Sequence, residues 1–292
     1  MLEAAGKKRQ LKLFTGNSNP ELAKEISAAL ECDIGRATVS RFEDGEVNVV
    51  VHDNVRGQDV YIIQSTCTPV NENLMELMLM VSTMRRASAR RITAVIPYYG
   101  SRAFFGPRVP VDNLDGGTVG VDYFGKRDDL VNPVIVSPDA GGVYRAKKFR
   151  EHLDKHYGVK AGLAMIIKQR HKPGEIERMD LGASVTGSDV IIVDDMIDTA
   201  GTLCKAANEL QKYGASARVC VCVARHLLRA RVLAHCAVRA GGSRRDQHHP
   251  TLQVVPANSK IHSLSVGQLL ASTIQRIHDR KSVSSLFSRT EE

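Results

Sequence analysis

Apolar positions along this chain follow two periods in alternation. Short runs rich in Val, Ile and Leu at residues 11–15, 59–64, 91–98, 134–136, 164–167 and 190–193 predict β-strands. Between them, apolar residues three and four apart predict amphipathic helices. These are Leu22, Ile26, Ala29 and Leu30 behind an Asn19-Pro20 start, a Leu- and Met-rich stretch over 71–89, and Val143, Ala146, Phe149, Leu153 and Tyr157. A last set, Leu203, Ala206, Ala207 and Leu210, stops at Gly214. Residues 37–42 and 47–51 read as paired strands joined across Glu43-Asp44-Gly45. Strands that alternate with helices imply largely parallel sheets covered on both faces, so the fold class is α/β.

At 292 residues the chain is long enough for two domains, each with its own core. With 43% hydrophobic and 25% charged residues it has the balance of a globular protein, and no apolar stretch is long enough to span a bilayer. Residues 1–10 are basic and lack an apolar signal core, so a cytoplasmic location is the expectation, with the six cysteines held as thiols. The net charge of +8 is concentrated, because residues 216–250 hold seven arginines against one acid, Asp246. That stretch has no aromatic residue on which a base can stack, and neither nucleic acid nor a membrane is expected as a partner. It also carries Cys220, Cys222, His226, His235 and Cys236. No C-x2-C pair is present and Cys220 and Cys222 alternate in a strand-like run, which argues against zinc.

Candidate chemistry gathers where predicted strands end. Residues 190–202 read V-I-I-V-D-D-M-I-D-T-A-G-T: a strand buried on both faces, two carboxylates, then a small-residue loop that opens a helix. Backbone N–H groups at such a helix start, with the hydroxyls of Thr199 and Thr202 and close approach at Ala200 and Gly201, suit a phosphate. Asp194 and Asp195 repel a phosphate but accept from sugar hydroxyls beside it, so the pattern suits a ribose 5-phosphate. On these residues alone, a strand end and a capped helix without a ligand remain open. Ser137-Pro138-Asp139-Ala140-Gly141-Gly142 repeats the theme of an acid and glycines between strand and helix, and Lys168-Gln169-Arg170 follows another strand.

The string 190–202 resembles the phosphoribosyl-pyrophosphate loop shared by type I phosphoribosyltransferases and ribose-phosphate pyrophosphokinases. Phe42-Glu43-Asp44-Gly45-Glu46, V-R-G-Q-D-V-Y at 55–61, Gln64-Ser65, N-L-M-E-L at 73–77 and A-V-I-P-Y-Y-G at 94–100 resemble the pyrophosphokinases in the same order. That resemblance implies two phosphoribosyltransferase-like domains, an ATP-side domain over 1–128 and one with the phosphate loop over 129–292. It implies transfer of diphosphate from MgATP to ribose 5-phosphate, giving phosphoribosyl pyrophosphate and AMP for nucleotide biosynthesis. Phe42, Asp44, Gly45 and Glu46 are then expected to hold adenosine, and Asp139 to contact Mg2+. Lys168, with Arg170, is expected to stabilise transition-state charge. Asp194 and Asp195 would take the ribose hydroxyls, and Asp198, Thr199, Ala200, Gly201 and Thr202 the 5-phosphate. A homo-oligomer is implied as well, with the adenine-side turn and the neighbouring ATP loop coming from different subunits.

The chain departs from the family pattern twice. After Gly100 a Y-A-R-Q-D-R-K loop, a helix and a strand ending in D-L-H are absent, and Ser101-Arg102-Ala103-Phe104 follow directly. The first sheet is expected to lose hydrogen-bond partners and core there. Over residues 216–256 the expected T-H-G-x-F-S-G passage is replaced, and the resemblance resumes at Asn258-Ser259-Lys260-Ile261-His262, as two compensating frameshifts would produce. These departures motivate an alternative: a catalytically inactive pyrophosphokinase-associated subunit or degenerate copy.

Overall fold

Residues 11–99, 109–169, 178–181, 184–194, 201–216, 219–223, 231–236 and 261–286 are described by a computed structural model, and they fall into two units. In chain order the first unit contains β1 (Leu11–Thr15), α1 (Pro20–Leu30), β2 (Ala37–Arg41), β3 (Val47–Val51), β4 (Asp59–Ile63), α2 (Val70–Arg86) and β5 (Arg91–Val95). The second contains α3 (Gly117–Gly125), β6 (Val134–Ser137), α4 (Val143–Tyr157), β7 (Gly162–Gln169), β8 (Arg178–Leu181), β9 (Val190–Asp194), α5 (Gly201–Lys212), β10 (Val219–Val223), β11 (Arg231–Cys236) and β12 (Ile261–Ser265). The chain then returns to the first unit as α6 (Gly267–His278).

In the first unit β1, β4 and β5 form a parallel sheet in the order β1-β4-β5, and β2 and β3 form the expected antiparallel pair. Asn19 starts α1 by accepting the Leu22 N–H at 3.1 Å, with Pro20 in the first turn. Phe14, Val60 and Ile62 pack with Leu77, Met80 and Met84 of α2, and Ala37, Val39, Val49 and Val51 of the hairpin close that cluster. Among the described residues β5 pairs only with β4, and Ala94 is exposed. An edge is left where the family pattern would continue into a helix and another strand.

The register sets Asp59 opposite Arg91. The Asp59 carboxylate is buried and accepts from Arg90 Nε at 3.2 Å and Arg91 Nη2 at 3.1 Å. Burial pushes its pKa up, but the hydrogen bonds and charges of the two guanidiniums outweigh burial and leave it below the ordinary carboxylate range. A depressed folded pKa stabilises above the unfolded value of about 3.9 and is lost as pH falls through the folded one. Thermal unfolding should therefore show Asp59→Asn well below the wild type at pH 7, with the gap closing below about pH 4. A gap that stays constant down to pH 2.5 would contradict this account.

The second unit holds a seven-stranded sheet in the order β12-β11-β10-β9-β6-β7-β8, with β10, β9, β6 and β7 parallel and β8 and β11 antiparallel to their neighbours β7 and β10. Val190, Ile191, Ile192 and Val193 are all fully buried, as a strand covered on both faces requires. Val134, Val136, Ala164, Ile166, Val190 and Ile192 form one face under Ala206, Ala207 and Leu210 of α5. α4 covers β6, β7 and β9 with Ala146, Phe149 and Leu153 buried, and Phe124 of α3 meets Phe149 edge-on at 6.2 Å.

α3 belongs to the second unit and α6 to the first. α3 packs on α4 in the second unit, where a Cβ on Gly125 would lie 2.3 Å from the Tyr157 ring. α6 packs on α1 in the first unit. Among the described residues no helix is long and apolar enough to cross a membrane.

Candidate active site

Three adjacent parallel strands bring three of the singled-out residues to one edge of the second sheet. Val136 of β6 stands opposite Ile192 of β9, and Ser137 stands opposite Met165 of β7. The residues that follow at the carboxyl ends are Asp139 after β6, Asp194 at the end of β9, and Lys168 near the end of β7. Loops beyond the carboxyl ends of such strands are where open α/β sheets hold ligands.

The turn after β6 is built by its own side chains. Asp139 caps the single helical turn Ala140–Gly142 by accepting the Gly142 N–H on Oδ1 at 2.9 Å, and the Ser137 hydroxyl donates to the Asp139 carbonyl at 2.6 Å. Gly142 is buried, and a Cβ there would lie 2.6 Å from Ser137 Oγ. Gly142→Ala should therefore displace the Ser137 hydroxyl and cost about 1–3 kcal/mol. Removing the obstacle in Ser137→Ala/Gly142→Ala should recover most of the lost melting temperature; a double variant as unstable as the single one would exclude the steric explanation.

Asp139 itself is exposed, and only one of its oxygens serves the cap, so its carboxylate has the chemistry of a Mg2+ ligand that shares the ion with substrate oxygens and water. Among the described residues no three His, Cys, Asp or Glu side chains gather around one point. Asp194 is partly buried at the end of β9 and accepts from Arg145 Nη1 of α4 at 3.4 Å. Lys168 lies opposite Met179 in the β7–β8 pair, and its side chain is outside the described part of the structure. Gly201 and Thr202 open α5, as the strand-loop-helix reading requires. Arg170, Asp195, Asp198, Thr199 and Ala200 lie outside the described residues.

In the first unit the turn 42–46 closes the β2–β3 hairpin. Phe42 N–H donates to the Glu46 carbonyl at 2.9 Å, Gly45 N–H to the Phe42 carbonyl at 3.0 Å, and Glu46 N–H to Asp44 Oδ1 at 3.0 Å. Gly45 takes a φ of 91°, open to a residue without a Cβ. Asp44 therefore shapes the turn, while Phe42 stands 55% exposed, a ring free to stack on a planar group.

Beneath this hairpin lies a polar network to which pattern reading assigned no role. Glu76 of α2 is buried, and its carboxylate accepts from Asn17 N–H at 3.1 Å, Asn17 Nδ2 at 3.0 Å and Gln64 Nε2 at 2.9 Å. Asn17 Nδ2 also reaches the Val39 carbonyl of β2 at 3.1 Å, and Asn73 Nδ2 the Cys67 carbonyl at 2.8 Å. The signal was available: Asn73 and Glu76 share a helical face with Leu77, Met80 and Met84, so two polar side chains sit on the apolar stripe.

Residues 11–103 match the N-terminal domain of ribose phosphate pyrophosphokinase, and residues 122–239 match the phosphoribosyl transferase domain. A ribose-phosphate pyrophosphokinase from Haemophilus ducreyi is 39% identical over 332 aligned positions, covering 95% of this chain and 98% of the relative. One from Pasteurella multocida is 39% identical over 333, covering 95% and 99%. Such an alignment is longer than this whole chain, so several dozen of the relative's positions have no counterpart here. The crystal structure of phosphoribosylpyrophosphate synthetase from Mycobacterium smegmatis superposes with a TM-score of 0.69 at 26% identity, covering 93% of this chain and all of that one.

Proposed function

The chain belongs to the ribose-phosphate pyrophosphokinase family, and from that premise we propose how its residues divide the work of the enzyme. It is a transferase that passes diphosphate from ATP to the anomeric hydroxyl of ribose 5-phosphate, releasing AMP. The observation that carries this reading is a match running nearly end to end through relatives of that name.

Asp194 and Asp195 accept from the ribose hydroxyls, and Asp198, Thr199, Ala200, Gly201 and Thr202 hold the 5-phosphate at the start of α5. Asp139 holds Mg2+, which, when bound, neutralises the diphosphate. Lys168 and Arg170 offset the negative charge that grows as the bond to the α-phosphate breaks, where positioned cations act most strongly. Phe42 stacks on the adenine while Glu46 accepts from the nucleoside, and Asp44 and Gly45 keep the turn that presents them. The arrangement works in the cytoplasm as a homo-oligomer. Asp139 as Mg2+ ligand is supported by family likeness and by its place after β6, and the phosphate loop and the oligomer by family likeness.

The test is AMP release from the purified chain with ATP, Mg2+ and ribose 5-phosphate. AMP formation that requires all three is the expected result. ATP hydrolysis indifferent to ribose 5-phosphate, or no turnover by folded protein, would overturn the activity.

A further inference from the structure

We propose that Arg145 is a positioning residue for the sugar: through its contact with Asp194 it fixes the carboxylate that receives the ribose hydroxyls. This rests on the reading of Asp194 given above and adds to it a residue to which that reading assigned no role.

The first turn of α4 serves both strand ends. Gly142, just before the helix, donates its N–H to Asp139 at 2.9 Å, and Arg145, one turn later, places Nη1 3.4 Å from Asp194 Oδ1. The two contacts tie the carboxylates after β6 and at the end of β9 to one short stretch of backbone. The Arg145 side chain is 29% exposed and that of Asp194 18%, so the pair is shielded from salt more than a surface pair would be. Arg145 also lines a small cavity with Asp115, Thr118, Lys148, Phe149, His152 and Val193.

A carboxylate that accepts from two sugar hydroxyls has to present its oxygens in one orientation, and the Arg145 contact is one restraint on that of Asp194. A cation held near Oδ1 restricts how the carboxylate can turn. The contact is made by one terminal nitrogen rather than by a bidentate fork, so an ammonium in the same place is a fair replacement.

The experiment is steady-state AMP formation by the full chain with Arg145→Met, Arg145→Lys, Asp194→Asn and Arg145→Met/Asp194→Asn, varying ribose 5-phosphate and ATP separately. The expected result for Arg145→Met is a KM for ribose 5-phosphate raised about tenfold or more, with the KM for ATP unchanged. Arg145→Lys should recover most of the affinity, and the double variant should be no worse than Asp194→Asn alone. A rise in the KM for ATP instead would place Arg145 on the diphosphate and overturn the proposal, as would independent, multiplying effects in the double variant. Calorimetric titration with ribose 5-phosphate separates this from the activity reading. A wild type that binds the sugar without turnover, and loses affinity in Arg145→Met, supports the positioning role while removing the activity. Equal affinity in wild type and variant overturns the positioning role alone.

Discussion

Lys168→Ala is expected to lower the rate of AMP formation by about 10^3-fold or more while leaving ribose 5-phosphate binding intact. Phosphoryl-group transfer offers a protein little covalent chemistry; most of its contribution is positioning and charge. Strand β7 delivers Lys168 to the same sheet edge as Asp139 and Asp194. An ammonium that meets charge developing only in the transition state changes kcat far more than substrate affinity. The check is a pre-steady-state and steady-state comparison of the variant with the wild type, beside a titration with ribose 5-phosphate. Retention of more than about a tenth of the rate would remove Lys168 from the chemical step.

The largest expected effect on stability is that of Glu76→Ala. Its buried carboxylate accepts three N–H groups from Asn17 and Gln64, and truncation removes the acceptor of the Asn17 N–H and one acceptor each of Asn17 Nδ2 and Gln64 Nε2, with a void left beneath the hairpin. Losing three hydrogen bonds to a charged acceptor costs about 3–5 kcal/mol in all, a large part of what holds a typical domain together. Calorimetry should show the melting transition of the first unit lowered by roughly 8–15 °C. Because Asn17 also holds the Val39 carbonyl, the same variant should weaken whatever Phe42 and its turn contact. A shift under about 2 °C would mean that the network is hydrated and expendable.

Local pattern carried much of this molecule. Asn19-Pro20, the all-apolar run at 190–193 and the glycines after Asp139 each dictate a backbone state by their own chemistry, and each stands where that chemistry puts it. α3 went unread because Gly116, Gly117, Gly120 and Gly125 make it a poor helix in isolation; it forms because Val121 and Phe124 are buried under α4. Arg145 and Glu76 were legible to different degrees. A glutamate on the apolar stripe of a Met-rich helix breaks the period visibly, whereas an arginine in a polar helix turn has no periodic signature. What Arg145 and Glu76 do comes from partners 49 and 59 residues away. Motif spacing found the carboxylates, but what orients them is tertiary.

The return of α6 has a consequence for how the protein is made. Arg91 reaches the Ile277 carbonyl across 186 residues of chain, and the Tyr61 ring meets His278 edge-on at 6.5 Å. Until α6 emerges from the ribosome, one side of α1 and the buried aromatic of β4 lack their cover, although the rest of the first unit was synthesised long before. The amino-terminal half must therefore wait, partly open and prone to association, while the whole second unit is translated. Its completion cannot precede the synthesis of α6.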